Sequence, residues 1–352
     1  MDKRRWILVA AVCILLAGFV LALRRVHFDW AVFWQQLHHA NPLYIAIGVI
    51  CIYLGYVLRA VRWSVFIRPQ KSVPPQQLIG TQVVGFTAVA IFGRAADLAR
   101  PYLVAKRVNL SVSSQIAVYV IERMFDAGAM ALIFCSVLAL APDTRTLPHH
   151  EAFSRAGWLG LVVSVAGAIF AVLVRIRGER LAVTAENSLR GISPKLAAAV
   201  RDRILSFREG LNALRSFADF LWALVLSLAM WGLIIGAYFA VVHAFTDLSM
   251  LNSSRVMLMM AASMGGSMLQ LPIIGWFTQV GVVSAAMKGL GAPLEPSIGC
   301  AALLQIVTFL SVIPAGLIFA RIEGVSLRKL TQESEHLEAE QLHIAGHPES
   351  AA

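Results

Sequence analysis

Long stretches without charged residues alternate with short polar segments along nearly the whole chain. Such a stretch crosses a hydrocarbon core of about 30 Å when it forms a helix rising about 1.5 Å per residue. Ser114–Pro142 is long enough even though it carries three charged residues, and Trp6–Leu23 follows a basic start without a small-x-small cleavage site. The pattern predicts six full spans, the other four being Leu43–Leu58, Ala156–Val174, Phe220–Thr246 and Pro296–Ala320.

Two further apolar regions do not fit a single crossing. Leu78–Gly93 ends in a charged stretch, and Val256–Met287 is interrupted by Gly265, Gly266, Pro272 and Gly275. Glycine and proline free backbone groups, which a membrane tolerates only where protein or a water-filled cavity covers them. Both regions are therefore predicted to be helical hairpins, either re-entrant or fully spanning.

The composition indicates that these helices lie in a lipid bilayer and not in the core of a soluble protein. Of 352 residues, 58% are hydrophobic and only 14% are charged, with a mean hydropathy of +0.72. A soluble domain carries about 25% charged residues. The fold class is therefore an all-α polytopic membrane protein. The net charge of +10 fits basic loops on the cytoplasmic side. The sequence has no basic patch with interleaved aromatic residues, so it does not indicate nucleic-acid binding.

Lysine and arginine are distributed unevenly between the two sides of the predicted topology. With the N-terminus inside, the inner segments carry 19 of these residues and the outer segments carry 6. Positively charged loops stay in the cytoplasm, so both termini are predicted to be cytoplasmic.

The order of the segments repeats as span, span, hairpin, span. Three crossings per unit invert the second unit relative to the first, which predicts an inverted repeat with halves 1–142 and 156–325. Chance alternation of hydrophobic segments is the alternative. Residues 1–325 form the membrane domain, with a cytoplasmic amphipathic segment at 175–215, and residues 326–352 are predicted to be a disordered cytoplasmic tail.

Metal and cofactor chemistry has no signature in this chain. Cys13, Cys51, Cys135 and Cys300 each lie in an apolar run without metal or redox spacing. The two His-His pairs lie in short loops, where neighbouring side chains point apart. No metal and no cofactor are predicted.

The first cluster of charges follows the first hairpin arm. Arg94, Asp97 and Arg100 recur every three residues, so on a helix Asp97 can bridge both arginines and leave guanidinium donors for a phosphate. Gly93 would allow close backbone approach, and Pro101 would kink or end the turn. An interfacial cluster of snorkelling side chains is the alternative.

The second cluster lies inside a predicted span. Glu122, Arg123 and Asp126 can pair with one another in part, and charges at this depth normally pair in the bundle or face a cavity. Across both clusters the basic residues outnumber the acids by two. These basic residues are Arg94, Arg100, Lys106, Arg107 and Arg123. An anionic headgroup therefore fits better than a sodium or proton site.

The second hairpin carries neutral polar groups instead. Gln270 and Gln279 lie among the interrupting glycines and proline, with Gly281 following. Their amides and the freed backbone groups could hydrogen-bond a headgroup. Close helix packing at the glycines is an equal alternative.

These stretches carry a family resemblance. Gly93–Leu103 followed by Ile121–Asp126 resembles the signature of the lysylphosphatidylglycerol synthase transmembrane family, also called flippase-like integral membrane proteins, and Gln270–Gly281 is similar to its second motif. Many relatives have Gly-Glu at Ala96-Asp97, and a Pro-Gly-Gly run ending in Glu where this chain has 273–276 and no acid.

The resemblance implies translocation of a phospholipid, a hopanoid-related lipid or a polyprenyl-phosphate lipid in a bacterial cytoplasmic membrane. It implies no enzyme, because the synthase members carry a separate soluble domain. The alternatives are an accessory subunit that presents a lipid to a glycosyltransferase or aminoacyltransferase and, less favoured, a membrane-embedded enzyme using Glu122 and Asp126. The expected partners are an anionic lipid headgroup, membrane lipids and a lipid-modifying enzyme.

Overall fold

The protein is all-helical in the part that the structure describes. The computed structural model describes residues 30–326 apart from 142–149, 192, 195–196, 199, 203, 206–215 and 267–273. The helices, numbered here in chain order, are α1 (Trp30–His39), α2 (Pro42–Ile67), α3 (Gln76–Phe92), α4 (Ala99–Val108), α5 (Val112–Leu140), α6 (His150–Leu189), α7 (Phe217–His243), α8 (Ser253–Gly266), α9 (Ile274–Gly289), α10 (Leu294–Gln305) and α11 (Val312–Ile322).

Among the described residues, five helical segments are long and apolar enough to cross a membrane. They are α2, α5, residues Ser154–Val174 of α6, α7, and the continuous segment Leu294–Ile322 that joins α10 to α11. These five correspond to five of the six predicted spans and confirm the polytopic helical fold class. The predicted first span, Trp6–Leu23, lies outside the described residues.

Short helices occupy both regions predicted as hairpins. In the first region α3 ends at Gly93, whose φ of 73° is easy only for glycine, and α4 packs back against α3. In the second, α8 and α9 contact each other on either side of residues 267–273. Helices of 14 and 16 residues rise only about 21–24 Å, less than the hydrocarbon core.

Helices α2 and α7 pack along each other at the centre of the bundle. At one end the backbone N–H of Asn41 donates to the Ala244 carbonyl oxygen at 2.9 Å, and the Asn41 side chain caps α2 just before Pro42. At the other end Arg68 on the C-cap of α2 lies 3.4 Å from Asp219 in the first turn of α7. The two helices are therefore antiparallel over their full length.

The last span contains a turn of π-helix, Ile306–Leu310, between α10 and α11. Pro314 follows it and has no N–H to donate to the carbonyl oxygen of Leu310, so the helical hydrogen-bond ladder is interrupted here. Tyr53 on α2 donates to the Ser311 carbonyl oxygen at 2.7 Å, and Thr87 on α3 donates to that of Val312 at 3.2 Å. The interruption therefore ties the last span to the first half of the chain.

Helix contacts in the two halves correspond. The contacts α2–α3, α4–α5 and α3–α11 have counterparts in α7–α8, α9–α10 and α8–α5, arranged around the central α2–α7 pair. An inverted repeat requires this correspondence. The repeat itself and the boundaries of the halves stay predictions.

Two boundaries differ from the sequence prediction. Helix α2 does not end at Leu58 but continues to Ile67, so Arg59 and Arg62 lie inside a span rather than in a loop. Helix α6 continues past Val174 to Leu189 with a kink at Arg177, so the segment assigned to 175–215 begins as an extension of a span. Much of 190–215 and the tail after 326 lie outside the described residues.

Removing Arg59 and Arg62 from the inner loops leaves 17 basic residues there against 6 outside. The predicted orientation is unchanged, and it is testable at two exposed positions, Gln76 and Met250. In a background without the native cysteines, Gln76→Cys should react with a membrane-impermeant thiol reagent only after permeabilisation. Met250→Cys should react in intact cells. Labelling of both from one side would contradict the topology.

Candidate functional site

Three helices bring charged side chains together in the half of the bundle near the C-terminal end of α2. Arg59 and Arg62 lie one turn apart on α2, and Glu122 and Asp126 lie one turn apart on α5, so each pair shares a helix face. Arg100 comes from the first turn of α4. We refer to Arg59, Arg62, Arg100, Arg123, Glu122 and Asp126 as the guanidinium cluster.

Arg62 is the buried centre of this cluster. Its Nη2 lies 2.6 Å from Glu122 Oε1 and its Nη1 lies 2.5 Å from Asp126 Oδ1. Nη1 also donates to Ser227 Oγ on α7 at 2.7 Å. Because one guanidinium bonds to two carboxylates and a hydroxyl, it connects α2, α5 and α7.

Arg100 reaches the same carboxylate from the first hairpin. Its Nη1 lies 3.1 Å from Glu122 Oε2 and 3.5 Å from Gln82 Oε1. The guanidinium lies 4.4 Å from the centre of the Phe86 ring, a cation–π distance. Gly85 makes this approach possible, since a Cβ there would lie 3.2 Å from Arg100 Cα and would collide with Arg100 Cγ.

Arg59 and Arg123 lie at the edge of the cluster. Arg59 Nη1 is 3.6 Å from Glu122 and 3.9 Å from Asp126, which are ion-pair distances but not hydrogen bonds. Its guanidinium lies 4.7 Å from the Phe86 ring, on which Arg100 also stacks. Arg123 Nη2 is 2.9 Å from Asp126 Oδ2, and its side chain is 43% exposed. Glu122 and Asp126 are therefore interior groups, whereas Arg123 is at the rim.

The cluster has more positive charge and more donors than its acids can satisfy. Four guanidinium groups share the two carboxylates of Glu122 and Asp126, so two positive charges are in excess among the described side chains of the cluster. Among the described residues in and beside the cluster, four buried N–H-bearing atoms have no hydrogen-bond partner: Arg59 Nη1, Arg62 Nε, Gln82 Nε2 and Arg100 Nε. All four are donors, which is the complement of an anion with several oxygens.

A second polar group lies in the other half of the chain. Gln279 Nε2 on α9 donates to the Ser263 carbonyl oxygen on α8 at 2.9 Å and contacts Ser263 Oγ. Tyr238 on α7 lies 2.9 Å from the same hydroxyl. This neutral network is buried and connects α8 to α7 on one side and to α9 on the other. Within the described residues, no three His, Cys, Asp or Glu side chains form a group that could hold a metal ion.

The structure joins the two predicted clusters through the 3.1 Å contact between Arg100 and Glu122. The sequence prediction assumed that Arg94 to Arg100 lie on one helix, but they do not. Gly93–Ala96 is a 3₁₀ turn, and α4 begins at Ala99. Pro101 neither kinks nor ends a helix, because it lies in the first turn of α4, where its N–H is not needed. The Arg94 side chain lies outside the described atoms.

Other predicted positions fall in different places. Lys106 and Arg107 are exposed, so they do not supply the cationic surplus of the cluster. Gly265 and Gly266 end α8, and Gly275 begins the buried face of α9. Gly281 lies inside α9 with no atom within 4 Å of an added Cβ, so it makes no close helix contact there, and its role as a hinge stays a prediction. Gln270 and Pro272 are not among the described residues.

Sequence reasoning missed Arg59 and Arg62 because a search for uncharged stretches stops at the first arginine. The signal was present in the apolar residues that continue past them, including Trp63, Phe66 and Ile67. Two arginines three residues apart inside an apolar helix present one charged stripe to the interior. Gln82 and Phe86 carried no comparable signal.

The fold and the site define a polytopic helical membrane protein with a cluster of arginines and carboxylates enclosed by its spans. Residues 6–316 match the family model described as the lysylphosphatidylglycerol synthase TM region, and the chain belongs to that family. Comparisons with curated proteins and with solved structures find no match.

Arg62 should contribute more to stability than a surface arginine on the same helix. Arg62→Met leaves two buried carboxylates without their shortest contacts, which should lower the free energy of unfolding by roughly 3 kcal/mol. The matched control is Arg68→Met, because Arg68 is 58% exposed and has one 3.4 Å contact. It should cost less than about 1 kcal/mol. Unfolding in mixed micelles followed by circular dichroism measures both, and equal losses would contradict this role for Arg62.

Gly85 should be required for the position of Arg100. Gly85→Ala must push α4 away from α3 and should lower the free energy of unfolding by about 1–3 kcal/mol. The control is Gly55→Ala on α2, where an added Cβ meets nothing within 4 Å. That change should be neutral or stabilise by up to about 1 kcal/mol, since alanine favours helix. The same measurement applies, and a tolerated Gly85→Ala would show that the close approach is not needed.

Proposed function

We propose that this protein is a lipid transporter and that the guanidinium cluster binds the phosphate of an anionic lipid headgroup. The observation that carries the proposal is the set of unpartnered buried donors on Arg59, Arg62, Gln82 and Arg100. A buried donor without an acceptor costs about 1–3 kcal/mol, and more when it is charged. A phosphate offers several acceptor oxygens and a negative charge, so it would satisfy the donors and neutralise the surplus together.

Arg59 is the guanidinium best suited to meet such a ligand. Arg62 is committed to short bonds with two carboxylates, whereas the contacts of Arg59 are 3.6 and 3.9 Å long. The Arg59 side chain also retains 12% exposure against 1% for Arg62 and 2% for Arg100, so it is the nearest of the three to the outside of the cluster. Arg62 then has a structural role, and Arg59 and Arg100 provide the binding donors.

The rim of the cluster supports a lipid rather than a soluble anion. Arg123 is 43% exposed on α5, and the large apolar side chains of Val120 and Met124 beside it are exposed as well. On a spanning helix such residues face acyl chains. A headgroup entering past Arg123 would keep its tails in lipid while its phosphate reaches Arg59.

Transport rather than binding alone is supported by the arrangement of the helices. Two short hairpins from opposite halves pack around the central α2–α7 pair, which resembles the architecture of transporters with sites near the midplane. The proposed reaction moves the lipid between leaflets without changing it chemically. The accessory-subunit alternative differs in one measurable property, because it requires binding without translocation.

The test compares Arg59→Gln with Arg68→Gln in nanodiscs containing phosphatidylmethanol, an anionic phosphodiester lipid without headgroup hydroxyls. Loss of a charge-assisted contact should weaken binding of this lipid about tenfold or more in Arg59→Gln and hardly at all in Arg68→Gln. Arg59→Lys should fall between wild type and Arg59→Gln, because it keeps the charge but loses the planar fork. Unchanged binding in Arg59→Gln would overturn the assignment.

Translocation is measured separately in proteoliposomes with a fluorescent anionic lipid and an impermeant quencher. Wild type should speed up the movement of the fluorescent lipid from the inner leaflet, where the quencher cannot reach it, to the outer leaflet. Arg59→Gln should move the lipid more slowly than wild type. Binding that depends on Arg59 without any acceleration would favour the accessory-subunit function.

A further inference from the structure

One carboxylate of the guanidinium cluster contacts all four of its arginines. Glu122 Oε1 lies 2.6 Å from Arg62 Nη2 and 3.5 Å from Arg123 Nη2. The same oxygen lies 3.6 Å from Arg59 Nη1, and Glu122 Oε2 lies 3.1 Å from Arg100 Nη1. Because the Glu122 side chain is 1% exposed, arginines rather than bulk water surround it. The carboxylate is therefore enclosed in the way that a bound anion would be.

The other acid of the cluster is placed differently. Asp126 lies 2.5 Å from Arg62 and 2.9 Å from Arg123, but its contact with Arg59 is 3.9 Å long. Among the described ion pairs none joins Asp126 to Arg100. Glu122 is therefore the acid closer to both of the arginines assigned to ligand binding, Arg59 and Arg100.

The contacts of Glu122 differ in strength. The 2.6 Å bond to Arg62 is short and charge-assisted, whereas the 3.6 Å contact with Arg59 is longer than a good hydrogen bond. A ligand that drew Arg59 and Arg100 toward itself would leave the bond to Arg62 in place. Glu122 would then stay paired, so giving up the weaker contacts would not leave a buried charge alone.

A phosphate held by Arg59 and Arg100 would share its donors with Glu122. Two negative groups on the same guanidinium N–H groups repel each other, and each weakens the contacts of the other. The two surplus positive charges of the cluster still favour binding of an anion. Glu122 would therefore lower the affinity without preventing binding.

We propose that Glu122 is an internal competitor for the lipid phosphate and that it sets how fast the headgroup leaves the guanidinium cluster. The inference rests on the proposed function. As the headgroup binds, Glu122 gives up its contacts with Arg59 and Arg100 and stays on Arg62, and as the headgroup leaves it takes those contacts back. Transport needs such a release, because a site that binds its cargo too tightly does not let it go.

The experiment uses the full chain in mixed micelles and phosphatidylmethanol with a fluorophore on one acyl chain. Fluorescence anisotropy gives the affinity, and a chase with unlabelled phosphatidylmethanol gives the dissociation rate. The decisive variant is Glu122→Gln, which keeps the shape of the side chain and removes its charge. Its matched control is Asp126→Asn, the same change of charge in the same cluster but without a contact to Arg100.

Glu122→Gln should tighten phosphatidylmethanol binding about tenfold, mainly through slower dissociation, since the competing charge is gone. Asp126→Asn should tighten it by no more than about threefold. In proteoliposomes Glu122→Gln should translocate the lipid more slowly than wild type although it binds the lipid more tightly. A purely structural role would lower binding and translocation together, so unchanged or weaker binding in Glu122→Gln, or an equal gain in Asp126→Asn, would overturn the proposal.

A second variant decides the matter if Glu122→Gln does not fold, as judged by gel filtration. Glu122→Asp keeps the charge but withdraws the carboxylate by one methylene group from the arginines of the other helices. It should slow dissociation about threefold, and a wild-type rate would contradict the competitor role.

Arg59→Gln, measured alongside, separates this inference from the proposed function. If phosphatidylmethanol binding does not depend on Arg59, the cluster is not the phosphate site and the proposed function is wrong. If binding depends on Arg59 but neither variant of Glu122 releases the lipid more slowly, only the competitor role is wrong.

Discussion

The bonds from Arg62 to Glu122 and Asp126 are the interaction on which the rest of the site depends. Removing a guanidinium and two carboxylates from water is costly, and short geometry on both sides is needed to offset that cost. Since Ser227 on α7 accepts from the same guanidinium, a single side chain sets the spacing of three helices. Glu122 is thereby held where Arg100 can reach it from the hairpin.

The arginines of the cluster divide between structure and binding because their hydrogen bonds are distributed unequally. Arg62 uses both terminal nitrogens in short contacts, whereas Arg59 has only long ones. Phe86 accommodates Arg59 and Arg100 on one ring, which lowers the cost of holding two like charges close together. A cluster arranged in this way is stable without a ligand yet retains donors for one.

The two halves of the chain use corresponding helix contacts for different chemistry. The first half has charged groups from α2, α4 and α5, and the second has the neutral Tyr238–Ser263–Gln279 network from α7, α8 and α9. The proposed function uses the charged groups of the first half for the phosphate, whereas the neutral network of the second half stabilises helix contacts.

Apolar length by itself located the five described spans, since the cost of exposing backbone to lipid acts on each segment separately, although it ended the first of them at Leu58 instead of Ile67. It also predicted both hairpin regions and marked Glu122, Arg123 and Asp126 as charges too deep to be incidental. Only the tertiary structure decided which of these pair. Arg62 is 60 residues from Glu122, and Gln279 is 16 from Ser263. No local pattern specifies such partners, because the burial of a charge depends on which distant helix supplies its counter-ion.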